Sequence, residues 1–190
     1  SLNSCNDLNA DGYEDVIIGT AWGGRSIIAI SGFTGETLWI HDTHEYGGGG
    51  WLYQVDSKYD SDNDGINDVL AATGNDGSNA GPRRVYCLDG LNGNSIWERL
   101  LNGAVFSVIG IEDFTNDGIP DVAAGATNSS ETEGKVAFIN GASGFVEGTF
   151  ITQGSSVWAI ESLGDINGDG INDVAAGDFS GNFYFLDPVN

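Results

Sequence analysis

Four times along the chain, acidic and amide side chains recur at alternate positions of a short segment, Asp-x-(Asn/Asp/Thr)-x-Asp-Gly-x-x-Asp. The copies lie at residues 7–15, 60–68, 113–121 and 165–173. Oxygens at alternate positions of a tight loop converge on one centre, as a hard divalent cation requires. Calcium takes roughly six to eight of them at about 2.3–2.6 Å. The side-chain donors would be Asp7, Asn9, Asp11 and Asp15 in the first loop and Asp60, Asp62, Asp64 and Asp68 in the second. The third offers Asp113, Thr115, Asp117 and Asp121, and the fourth Asp165, Asn167, Asp169 and Asp173. A backbone carbonyl from Tyr13, Ile66, Ile119 or Ile171 at position seven would add one more ligand to each. The glycine at position six (Gly12, Gly65, Gly118, Gly170) permits the sharp turn.

Thirteen of the 28 acidic residues stand at the ligand positions of these loops. Without a cation each loop gathers three or four negative charges, which a set of Asx-rich turns would have no reason to do. The expectation is about four calcium ions, one per loop. Magnesium is disfavoured because it demands strict octahedral geometry and keeps its own waters. Thr115 is a poorer donor than Asp or Asn, so the third loop is expected to bind weakest.

The loops begin 53, 53 and 52 residues apart, so they belong to a tandem array. The segments after each loop repeat as well. DVIIG, DVLAA, DVAAG and DVAAG come first, starting at Asp15, Asp68, Asp121 and Asp173. Then come the alternating runs SIIAISG, RVYCLDG, KVAFING and FYFLD. A glycine turn leads to an outer segment, and an aromatic-bearing run (WLYQVDS, AVFSVIG, SVWAIES) leads into the next loop. Short β-branched and aromatic runs bounded by Gly, Asn and Asp predict strands, and no segment carries a helical period. Four short antiparallel strands per repeat predict an all-β chain of β-propeller blades, with a solenoid of hairpins as the alternative. The blades are expected at about 1–50, 51–103, 104–154 and 155–190, together forming one repeat domain. By this alignment the first and last blades are incomplete. The chain is therefore expected to belong to a larger propeller or array, or to be completed by a neighbouring chain.

A net charge of -22 argues against nucleic acid and against an anionic membrane surface. No apolar run is long enough to span a bilayer. Two cysteines, Cys5 and Cys87, fall on different strands of different repeats and are expected to be buried free thiols.

The acidic loop, the DVAAG-type strand behind it and the period resemble FG-GAP repeats, as in integrin α-subunit propellers and related surface proteins. That resemblance implies calcium loops between the innermost and second strands and a ligand face at the opposite end. The ligand-face loops would be residues 20–25, 73–84, 126–134 and 178–181, with blade-to-blade loops at 42–50, 100–103 and 152–155. The turns ending in Trp39 and Trp97 are similar to those of quinoprotein-type propellers, and Gly148 breaks that pattern.

Other clusters read as less specific. His41, Asp42, His44 and Glu45 could hold zinc but specify no third strong ligand, so a solvated loop is expected. The glycines at 47–50 lack the strand and helix of a phosphate cradle. Trp22, Trp51, Tyr53, Phe106 and Trp158 could line a sugar-binding face but are expected to fill inter-blade core. No nucleophile elbow, Ser-His-Asp set or HExxH motif is present, so no enzyme is expected. The reading is a calcium-binding extracellular, cell-surface module for adhesion or ligand binding, with a protein or glycan partner on the face opposite the loops. Its rivals are a self-assembling surface polymer and the propeller of a carbohydrate-active or quinone-dependent enzyme.

Overall fold

The computed structural model describes residues 1–22, 24–44, 50–75 and 81–189. Among these, strands form four antiparallel sheets that each meander in chain order. The first sheet holds β1 (Leu2–Cys5), β2 (Asp15–Gly19), β3 (Ser26–Ile30) and β4 (Thr37–Asp42). The second holds β5 (Leu52–Asp56), β6 (Val69–Thr73), β7 (Arg84–Leu88) and β8 (Ser95–Leu100). The third holds β9 (Val105–Ile111), β10 (Asp121–Thr127), β11 (Gly134–Ile139) and β12 (Val146–Ile151). The fourth has three strands, β13 (Val157–Ser162), β14 (Val174–Asp178) and β15 (Phe183–Leu186). Among the described residues no helix is long and apolar enough to cross a membrane.

Each sheet is a blade, and the blades stack face to face through three apolar clusters. Ile17, Ala29 and Trp39 of the first blade meet Val55, Ala71 and Tyr86 of the second. Leu70, Cys87 and Trp97 of the second meet Val108, Ala124 and Ile139 of the third. Ala123, Val136 and Phe138 meet Ile160, Ala176 and Leu186 in the same way. A blade between two others is covered on both faces, which is why β6 and β10 are buried at every position. Their alanines let neighbouring sheets approach closely. Of the inner strands, β9 packs against both β5 and β13, so the sheets converge edge-on toward one axis.

Cys5 and Cys87 are both buried and free. Burial pushes the Cys5 thiol up to about 12, and the Cys87 thiol upward as well, which keeps both protonated.

Candidate metal centres

The acidic loops all lie between the first and second strands of their sheets, at one end of the array, and they share one hydrogen-bond scheme. The position-one carboxylate accepts the glycine N–H of position six: Asp7 from Gly12 at 2.7 Å, Asp60 from Gly65 at 2.8 Å, Asp113 from Gly118 at 2.8 Å and Asp165 from Gly170 at 2.9 Å. The position-five carboxylate accepts the N–H of position seven at 3.0, 2.8, 2.9 and 2.9 Å from Tyr13, Ile66, Ile119 and Ile171. Asn9, Asp62 and Asn167 accept the N–H of position five. Thr115 instead donates its hydroxyl to Asp113 and Asp121, both at 3.3 Å. Each loop thus curls its oxygens inward before any ion is considered.

The position-nine aspartate is the anchor. Asp15, Asp68, Asp121 and Asp173 are all buried, and each accepts a backbone N–H from position two of its own loop. The second oxygen of Asp15, Asp68 and Asp121 accepts the N–H of a turn glycine: Gly32 at 3.0 Å, Gly90 at 3.1 Å and Gly141 at 2.9 Å. Burial raises the Asp68 carboxyl to about 7 and moves Asp121 in the same direction. With a folded value above the ordinary 3.8, Asp68 contributes stability below pH 4 that is lost as the pH rises through about 7. The cation-free chain should therefore unfold at lower urea concentration at pH 7.5 than at pH 5. Urea unfolding in a chelator at the two pH values measures the difference.

Of the four loops, among the described residues, only the second draws three carboxylates within 4.8 Å of one another: Asp60, Asp62 and Asp68 in one group, and Asp62, Asp64 and Asp89 in another. Asp89 is not in the loop. It precedes the turn glycine after β7, and the same position reaches the loop in every blade. Ser31 donates to Asp11 at 3.3 Å, Asn140 to Asp117 at 2.6 Å and Thr115 at 3.0 Å, and Asp187 accepts from Asn167 at 3.2 Å. The Ser-Gly, Asp-Gly, Asn-Gly and Asp-Pro pairs follow position nine at varying distances of 16, 21, 19 and 14 residues, and nothing local marks them as part of the loop. Position four carries a constraint of its own. Ala10, Asn63, Asn116 and Gly168 are all left-handed, with φ of 59, 63, 59 and 84°. A left-handed alanine costs about 1 kcal/mol, so Ala10→Asn should stabilise the chain by about that amount, read by thermal unfolding.

Among the described residues, neither histidine belongs to a group of three metal-ligating side chains. His41 Nδ1 pairs with the Gly93 carbonyl at 3.0 Å, and His44 pairs with Asp42 at 2.5 Å. Glu45 and three of the four glycines at 47–50 lie outside the described residues.

At the end of the inner strands remote from the loops, the aromatics depart from the expectation. None of Trp22, Trp51, Tyr53, Phe106 and Trp158 belongs to the inter-blade clusters. The pairing shifts register between Leu52 and Gln54, at Gly125/Ala126, and between Val157 and Ala159, leaving Tyr53, Phe106 and Trp158 as extra residues of bulges. A bulge re-aims its side chain. Here the three rings meet across blades, with centroids at 4.7 Å for Tyr53–Phe106 and 4.5 Å for Phe106–Trp158. Trp22 packs at a tilt against Trp51 and Phe179 against Trp158, and Trp22 and Phe179 are each 75% exposed.

Residues 113–176 match the model of the FG-GAP-like repeat. No curated protein matches the chain in sequence. Among solved structures, the chain is similar to BBS1N crystallised in complex with ARL6DN, at 14% identity and a TM-score of 0.64, over 97% of this chain and 53% of that one. It is similar to the Dos1 propeller at 13% identity and 0.59, over 100% and 49%. A third likeness is to the rhamnogalacturonan lyase YesW, at 15% identity and 0.54, over 96% and 42%. The chain spans about half the length of these structures, and the likeness shows the fold: an all-β propeller.

Proposed function

We propose that this propeller, built on an FG-GAP-like repeat, is a calcium-binding module of the extracellular space or cell surface that presents the face opposite its acidic loops to a protein or glycan. The observation that carries the reading is the fourfold recurrence of one oxygen-lined loop with one internal hydrogen-bond scheme. The donor set is all hard oxygen, in flexible Asp- and Asn-rich segments, which suits calcium better than magnesium. In each loop the side chains at positions one, three, five and nine and the carbonyl at position seven would hold the ion. Asp89 makes the second loop the richest in carboxylate, so it should fill first, and the Thr115 loop last.

Four ions would take the net charge from -22 to -14. Loops of this kind fill at about 10⁻⁴–10⁻³ M calcium, the extracellular range. At the opposite end the ring cluster and its exposed wings, Trp22 and Phe179, offer amphipathic area of the kind partners use. A protein partner has a precedent in the similar fold of BBS1N, crystallised with ARL6DN. The module itself is read as non-enzymatic. Self-association is a further expectation: Leu2 and Ile40 stand exposed on the free face of the first sheet, at 71% and 60%.

Isothermal titration of the chelator-treated chain with calcium tests the reading. It should count about four ions, and Asp60→Asn with Asp62→Asn should remove one. A titration without saturable binding would overturn it.

A further inference from the structure

The acidic loops differ in the support that stands behind them. In the second blade the turn between β7 and β8 is held from two sides. On the loop side, Gly90 donates its N–H to Asp68, and a Cβ on Gly90 would lie 2.1 Å from the Asn67 carbonyl oxygen. On the other side stands Trp39 of the preceding blade. Its indole N–H donates to the Gly90 carbonyl at 2.8 Å, and its ring covers Gly93 so closely that a Cβ there would lie 2.6 Å away. The third blade repeats the arrangement. Gly141 donates to Asp121, Trp97 donates to the Gly141 carbonyl at 2.6 Å, and a Cβ on Gly144 would lie 2.7 Å from the Trp97 ring.

The fourth blade lacks both halves. Gly148 stands where the tryptophan would be, and Pro188 stands where the turn glycine would be. Proline has no N–H to offer Asp173.

We infer that Trp39 and Trp97 are positioning residues for the cation loops of the next blades along the chain. The inference rests on the reading that those loops bind calcium. Each indole pins a turn that supplies the loop with a glycine N–H and with Asp89 or Asn140. A turn already in place need not be ordered when the ion arrives, so affinity rises. Linkage makes the effect reciprocal: an ion in the second loop strengthens the contact between the first and second blades by the same factor. The fourth loop has no such support.

Calcium titrations of Trp39→Phe and Trp97→Phe, with the cation-free melting midpoint measured on the same samples, test this. Phenylalanine keeps a ring over the turn and removes only the N–H. In Trp39→Phe one site should weaken by about fivefold, the worth of one hydrogen bond, while the others stay as in the parent. Adding Asp60→Asn, which disables the second loop, should make the isotherm match that of Asp60→Asn alone. Trp97→Phe should behave likewise with Asp113→Asn. A Trp39→Phe isotherm that superimposes on the parent, with only the midpoint lowered, would reduce the indole to packing and overturn the inference. So would equal weakening of every site.

If Trp39→Phe fails to fold, tryptophan emission in the otherwise unaltered chain gives the answer. Its calcium-induced change should shrink in Asp60→Asn and persist in Asp165→Asn; equal loss in both overturns the coupling. A parent chain that binds no calcium defeats the proposed function itself, a result distinct from either of these.

Discussion

Chelation should lower the unfolding midpoint of this chain by about 10–20 °C relative to millimolar calcium. The size comes from mass action. An ion at ten times its dissociation constant adds about 1.4 kcal/mol per site when it binds only the folded chain. Four sites give about 5–6 kcal/mol, and a chain of this length shifts by about 2–4 °C per kcal/mol. The direction comes from the loops. Asp60, Asp62 and Asp68 hold their oxygens within 4.8 Å of one another, and like charges at that distance repel strongly where water is partly excluded. Scanning calorimetry in calcium and in chelator measures the shift. An unchanged midpoint would mean that the loops are turns held by their backbone bonds alone.

Gly141→Ala carries the second large effect. A Cβ at this position would lie 1.8 Å from the Pro120 carbonyl oxygen and 3.3 Å from the Asp121 Cα, both backbone atoms. The turn or the loop must move, and that displaces the N–H on Asp121 and the carbonyl that Trp97 grips. A loss of about 3 kcal/mol or more is expected, or about 6–12 °C in the midpoint. Gly148→Ala is the control. Its nearest neighbour would be Phe138 at 4.0 Å, so it should be close to neutral. Thermal unfolding of both variants in calcium decides: equal midpoints would mean that the loop and the turn are not pressed together.

Much of this molecule is legible along the chain because its information is local and repeated. The acidic loop sits where a strand must end, and the Val-Ala runs behind it are apolar on both faces, as strands between two sheets must be. The features that escape a sequence reading depend on partners far away along the chain. Asp89 becomes part of the second loop only because β6 and β7 pair in register from Val69↔Leu88. Trp39 finds its acceptor 51 residues later, at Gly90. Tyr53, Phe106 and Trp158 look like inward-facing strand residues by alternation, and each is turned out of register by a bulge that no single run announces. The left-handed residue at position four is hidden because Ala10 occupies it as readily in sequence as Asn63, Asn116 or Gly168.

Anomalous diffraction from crystals grown in millimolar calcium addresses the central claim most directly. The account predicts a peak in each acidic loop, about 2.3–2.6 Å from the oxygens at positions one, three, five, seven and nine, strongest beside Asp60, Asp62 and Asp68 and weakest beside Thr115. Loops free of anomalous density at that concentration, with their carboxylates bonded only to backbone N–H groups, would contradict it.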